Sequence, residues 1–252
     1  MQELYRSNRY WQYQTGYHIE DASWKFKKII SIIPKAILEK LPNSIKIIDI
    51  GCGVGEILKL VSGYFKEKEI IVNAFGYDVS REAIEIAKKN SPETSFFCKE
   101  FGKDNFDKNE IDLVLIMDLL EHLQRPQDLL RDVNGICKYV ICHLPLDDNL
   151  NINLRCPKEK MANSIGHINF YNIKSASVLF KECGFFIENK IINCFDYDGD
   201  FIKKDSLSNQ YFGAPLRKVL FKRLPNFVAR VLGGCTAMFL LRSQYYNGLW
   251  KS

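Results

Sequence analysis

One segment, Ile48-Asp49-Ile50-Gly51-Cys52-Gly53-Val54-Gly55-Glu56, constrains this chain more than any other. A β-branched run enters three alternating glycines and leaves into a helix-patterned stretch. Such a turn lets backbone approach a ligand closely at a helix N-terminus. The flanking pattern supports it. Strand-like runs at 46–50, 70–77, 94–99, 111–117 and 138–144 alternate with helix-like stretches at 56–65, 81–90, 126–133 and 173–183, with Ser80 placed as a cap. Alternation of this kind requires right-handed crossovers and a mainly parallel sheet covered on both faces, which the near-continuous apolar strands also demand. After Gly184 the order changes. Two strands, 185–195 and 236–241, lack a clear crossover helix between them and suit antiparallel pairing at a sheet edge.

These segments define an α/β fold with a doubly wound sheet. Residues 1–44 form an aromatic arm and a helix; 45–252 form the ligand-binding domain, with an insertion at about 196–235. In the first part, the apolar spacing predicts a helix over 24–41, with Pro34 as a kink or break. The insertion carries a basic amphipathic stretch, 215–232, with Arg217, Lys218, Lys222, Arg223 and Arg230. The whole chain's apolar content of 46% rules out a disordered chain, and no run is long enough to cross a bilayer as a helix. With no apolar signal core at the start, the expected location is cytoplasmic. Eight scattered cysteines contain no C-x-x-C pair, so reduced, mostly buried thiols are expected, with no disulfide framework and no metal site. The net charge of +5 is compatible with anionic partners but forms no stripe that would demand nucleic acid.

The glycine turn discriminates among ligands. A dinucleotide fingerprint needs glycine at position 56, where Glu stands, and no G-K-[ST] follows for a P-loop. Asp49 and Glu56 would repel a pyrophosphate. S-adenosylmethionine has no phosphate and carries a sulfonium and an ammonium, so an acidic, glycine-rich turn suits it. At the end of the second strand, Asp78 is placed to accept hydrogen bonds from both ribose hydroxyls.

With these residues, the chain resembles class I S-adenosylmethionine-dependent methyltransferases of the branch acting on small molecules. The resemblance covers roughly 45–195, with 236–241 as the last element. Residues 47–58 match the first motif, D-x-G-C-G-x-G, and 111–123 match the fourth-strand segment F-D-x-V-x-x-x-x-x-L-E-H. The resemblance implies a Rossmann-like, seven-stranded sheet of order 3-2-1-4-5-7-6 with the seventh strand antiparallel. It implies S-adenosylmethionine as donor and S-adenosylhomocysteine as product. The cofactor would be held by Asp49, Gly51, Cys52, Gly53, Gly55, Asp78 and Val79. Glu100, where the family usually has Asp, would lie near the adenine with Phe101, and Met117 and Asp118 would border the methionine portion. Glu121 and His122 would serve structure, packing the helix after strand four.

The acceptor is expected beyond strands four and five. His143, at a strand end, and His167, before the helix at 173–183, are the candidate general bases for a hydroxyl acceptor. Tyr13 and Tyr17, with Trp11, are candidates for a lid with cation–π contact to the sulfonium, and Asp147 for the acceptor pocket. The reading is methyl transfer to an oxygen or nitrogen of a small-molecule, carbohydrate, phosphorylated or lipid-linked acceptor, with no nucleic acid expected. The alternatives are a nicotinamide-dependent oxidoreductase, which Glu56 disfavours, and a non-catalytic protein that binds S-adenosylmethionine, which the intact glycine turn disfavours.

Overall fold

In the computed structural model, described for residues 19–34, 43–103, 106–155, 166–194 and 214–246, helices cover a seven-stranded sheet. The strands are β1 (Ser44–Ile50), β2 (Ile71–Asp78), β3 (Ser95–Cys98), β4 (Ile111–Met117), β5 (Cys137–Pro145), β6 (Phe185–Cys194) and β7 (Cys235–Ser243). Their order is β3-β2-β1-β4-β5-β7-β6, as the family resemblance implies. Pairings from β3 across to β5 are parallel, and β7 runs antiparallel to both β5 and β6. That insertion of β7 is the edge pairing expected from the changed pattern after Gly184.

All residues of β4 are buried, which is why its sequence shows no alternation. The helices are α1 (Ile19–Ile32), α2 (Glu56–Lys66), α3 (Arg81–Asn90), α4 (Pro126–Ile136), α5 (Leu150–Arg155), α6 (Ile173–Glu182) and α7 (Ala214–Arg223). Ser80 caps α3 as expected, its Oγ accepting from the Ala83 N–H at 3.3 Å. Asn172 closes a capping box with Ser175 at the start of α6, which fixes where the preceding loop ends.

Two elements differ from expectation. The first helix occupies Ile19–Ile32 and ends before Pro34, which lacks an N–H and disfavours helical geometry at Ile33; residues 35–42 lie outside the described residues. The basic 215–232 stretch is not one amphipathic helix. Pro225 divides it into α7, a short turn at Pro225–Phe227 and a π-helical turn at Val228–Leu232, where Val228 and Ala229 are buried.

Phe96 of β3 lies beneath the glycine turn. A Cβ at Gly55 would come within 2.7 Å of its ring, at a φ of +78°, and one at Gly76 within 2.5 Å. Gly55→Ala therefore combines left-handed strain with overpacking and is expected to cost about 2–4 kcal/mol, measured by urea denaturation. A loss below about 0.5 kcal/mol would mean that the turn and Phe96 separate readily.

Candidate active site

The turn from β1 into α2 is built on three left-handed glycines, Gly51, Gly53 and Gly55, with φ of 74°, 53° and 78°. The N–H groups of Gly51 and Cys52 donate to the Tyr77 carbonyl at 2.8 and 3.1 Å, fastening the turn to the end of β2. Asp78 completes the fastening. Its Oδ2 accepts from the Gly53 N–H at 2.9 Å and its Oδ1 from the Ser80 N–H at 2.8 Å. Burial raises the Asp78 carboxyl above its ordinary value, and the backbone donors offset part of that. Val79 follows on the same turn, and its carbonyl accepts from the Cys98 thiol. Because Asp78 pairs with Cys98 in the β2–β3 register, Glu100 and Phe101 lie just beyond the strand end next to Asp78. Glu100 is exposed; Phe101 stands edge-on to Tyr77, their centroids 5.3 Å apart. Burial, with repulsion from Asp49 and Asp78, pushes the Cys52 thiol well up, so it remains protonated.

Buried and part-buried charged residues adjoin this turn. Asp49 is 2% exposed and its Oδ1 has no hydrogen-bond partner. Burial and repulsion from Asp78 push its carboxyl up to about 7, with Lys25 opposing the rise. Lys25, on α1, is itself buried, and its Nζ bridges Asp21 Oδ2 at 2.8 Å and Asp118 Oδ2 at 2.6 Å. Burial works against this ammonium, but Asp118 and Asp21 more than compensate, and its pKa is raised. Asp118 sits left-handed (φ 51°) just past β4, next to Met117, which is buried in the core. Burial also opposes the Asp118 charge, yet His143 and Lys25 hold its carboxyl well below the usual range.

His143 is fully buried. Its Nδ1 lies 2.7 Å from Asp118 Oδ1 and its Nε2 2.9 Å from Thr236 Oγ1. For His143, a candidate general base, both ring nitrogens are thus engaged inside the protein. Its place is structural, joining β4, β5 and β7.

The residues expected near the acceptor lie beyond the ends of β4 and β5. A 3-10 turn at Leu120–His122 receives the loop before α6: the Ile168 and Asn169 N–H groups donate to the Glu121 carbonyl at 2.9 and 3.0 Å. His167 Nδ1 lies 2.8 Å from Asp147 Oδ2, so the two residues expected at the acceptor pocket come together. His122 Nδ1 lies 3.0 Å from the Gly166 carbonyl, and the two imidazoles meet at 4.9 Å between centroids. Burial, then repulsion from Asp118 and Asp147, pushes the Glu121 carboxyl well up. Tyr13, Tyr17 and Trp11 lie outside the described residues.

Sequence reasoning did not single out Lys25, Asp21 or Thr236. The Asp21–Lys25 spacing of i,i+4 was the one available signal, and it reads as a surface pair until the packing of α1 is known.

This sheet order, joined to an acid-flanked glycine turn, defines a class I S-adenosylmethionine-dependent methyltransferase. The chain belongs to the family described as Methyltransferase domain, which matches residues 22–189. Among curated proteins it is similar to tRNA N(3)-methylcytidine methyltransferase Mettl2 of Drosophila melanogaster, 24% identical over 144 residues, 52% of this chain and 43% of that one. It thus spans less than half the length of that relative. Among solved structures it resembles geranyl diphosphate C-methyltransferase from Streptomyces coelicolor (10% identity, TM-score 0.57, 83% of this chain and 77% of that one). It also resembles a SAM-dependent methyltransferase from Archaeoglobus fulgidus (16% identity, TM-score 0.54, 88% and 94%).

The residues present fit S-adenosylmethionine. The unpartnered, buried Asp49 oxygen faces a deficit of positive charge that a sulfonium and an ammonium relieve, and the glycine turn leaves no Cβ in the way. The cofactor supplies an activated methyl group on a positively charged sulfur.

Proposed function

We propose that the chain transfers a methyl group from S-adenosylmethionine to an oxygen or nitrogen of a small-molecule acceptor at the corner formed by Glu121, His122 and His167. The observation that carries this is the Asp147–His167 pair, at 2.8 Å, set against His122 of the turn that follows β4, whose end carries the Asp118–Lys25 ion pair. Positioning supplies most of the acceleration in such a displacement. His167, held through Nδ1 by Asp147, is the ring placed to serve as general base for a hydroxyl acceptor. An amine acceptor needs only its neutral form. A phosphorylated acceptor agrees with the net charge of +5.

Two variants test the halves of the proposal separately. Asp78→Ala is expected to weaken S-adenosylhomocysteine binding by at least about 1.5 kcal/mol by calorimetry, since it removes the hydroxyl acceptor and the Gly53 tether together. Unchanged affinity in the folded variant would remove the ribose assignment. His167→Ala is expected to keep that affinity within about twofold while lowering turnover on a hydroxyl acceptor by about 10²-fold or more.

The similarity to a tRNA methyltransferase favours a second reading, a nucleic-acid acceptor. Incubation with methyl-labelled S-adenosylmethionine and either bulk tRNA or a small-metabolite extract separates the two by where the label appears.

A further inference from the structure

We propose that the stretch 214–232 docks the chain on the surface of an anionic lipid bilayer. The chain's 35 basic residues exceed its 30 acidic ones by five. This stretch alone holds Arg217, Lys218, Lys222, Arg223 and Arg230, with no acidic residue. The whole net charge of +5 therefore resides in it, and the rest of the chain is balanced. Such a concentrated positive field is complementary to a layer of anionic headgroups.

The fold turns one side of this stretch outward. Helical hydrogen bonding continues across the break at Pro225: the Leu224 N–H donates to the Leu220 carbonyl at 2.7 Å and the Val228 N–H to the Leu224 carbonyl at 3.1 Å. Val219, Lys222, Arg223, Asn226, Phe227 and Arg230 thus recur at helical spacing, and all six are exposed. The other side, with Phe221, Val228 and Ala229, packs into the core. Val219, Leu224 and Phe227 are 51%, 52% and 48% exposed, so about half of each apolar side chain meets solvent among the cations.

Helix α5 adjoins the same stretch. Asn151 Nδ2 donates to the Leu232 carbonyl at 3.3 Å, and Leu150 and Leu154, one turn apart, are 52% and 76% exposed. Of the nine large apolar side chains exposed among the described residues, five belong to α5 and this stretch. The two carboxylates before α5 are engaged elsewhere, Asp147 with His167 and Asp148 with Asn172 and Asn153.

Apolar side chains interleaved with cations select the occupant. They enter the boundary between headgroups and acyl chains while the basic groups stay at the phosphates. Four of the five apolar side chains are aliphatic and lack the ring face on which bases stack, which disfavours RNA. With 10 residues, α7 is too short to span a bilayer, so the contact is interfacial. Both elements attach at the carboxyl end of β5: α5 begins shortly after Pro145, and Pro145 pairs with Thr236, just past the π-helical turn. Docking holds that end of the sheet toward the lipid. The surface stands independently of the methyl-transfer reading.

The test is co-sedimentation of the full chain with phosphatidylcholine vesicles, either pure or with about a third phosphatidylglycerol. Partition onto the anionic vesicles is expected to be at least about tenfold stronger and to fall with added salt. The triple variants Lys222→Glu/Arg223→Glu/Arg230→Glu and Val219→Ser/Leu224→Ser/Phe227→Ser should each bind at least about tenfold more weakly. A charge-matched control at exposed lysines outside this face, Lys68→Glu/Lys88→Glu/Lys89→Glu, should stay within about threefold of wild type. Equal partition onto both vesicles, face variants that bind like wild type, or a control that loses as much as they do would overturn the surface. Tighter binding of bulk tRNA than of anionic vesicles, lost in the same variants, would assign the face to nucleic acid and overturn it too. S-adenosylhomocysteine binding by each variant confirms that it is folded. Absence of that binding in wild type would strike the methyltransferase reading and leave the docking result standing.

Discussion

Asp49→Asn is expected to melt at a higher temperature than wild type at pH 8 while binding S-adenosylhomocysteine at least about tenfold more weakly. Asp49 is 2% exposed, has an unpartnered oxygen, and titrates at about 7 in the folded protein. In the unfolded chain it titrates near its ordinary value of 3.8. Between these values the folded state holds a proton that the unfolded state has released. Its favourable contribution is therefore complete below pH 4 and disappears as pH rises through about 7. At pH 8 the ionised carboxylate burdens the fold by up to about 4 kcal/mol, which the neutral amide removes. At pH 4 the variant and wild type should melt alike on this account. The same charge serves binding, because a cationic cofactor favours the ionised form. Wild-type affinity should thus rise from pH 6 to pH 8, with proton release on binding at pH 6 that varies calorimetric heats with buffer. A variant both less stable at pH 8 and unimpaired in binding would refute the assignment.

Lys25→Met is expected to cost about 3–5 kcal/mol in urea denaturation, the larger of the two stability effects. The buried ammonium bridges Asp21 and Asp118 and opposes the protonation of Asp49. Removing it leaves two carboxylates without their partner beside two more. The double variant Lys25→Met/Asp118→Asn should recover part of the loss, since the pair couples directly. A single-variant loss below about 1 kcal/mol would place Lys25 in water instead of in the core.

The strands, the Ser80 cap and the glycine turn were legible because each rests on local chemistry: β-branched runs, a hydroxyl before a helix, glycine where φ is positive. Their lateral order came from the family resemblance, and β7 lies between β5 and β6 as that implied. The buried charges were not legible. Hydrophobic periodicity assigns a lysine to the solvent side, whereas α1 turns Lys25 inward to carboxylates from its own previous turn and from the end of β4. His143 and His167 look equally suited to catalysis as residue types. Burial separates them: Thr236 and Asp118 seal His143 between strands, while the loop at 166–169 leaves His167 part-exposed beside Asp147. The unpartnered oxygen of Glu121 depends on that same loop folding back onto the Leu120–His122 turn, a long-range contact with no local signature.

The central claim is that the turn at Gly51–Gly55 selects a positively charged methyl donor over a phosphate-bearing nucleotide. Parallel calorimetric titrations of wild-type protein with S-adenosylhomocysteine and with NADH at pH 8 test it most directly. The account expects one S-adenosylhomocysteine per chain and no heat from NADH; firm NADH binding with no response to S-adenosylhomocysteine would contradict it.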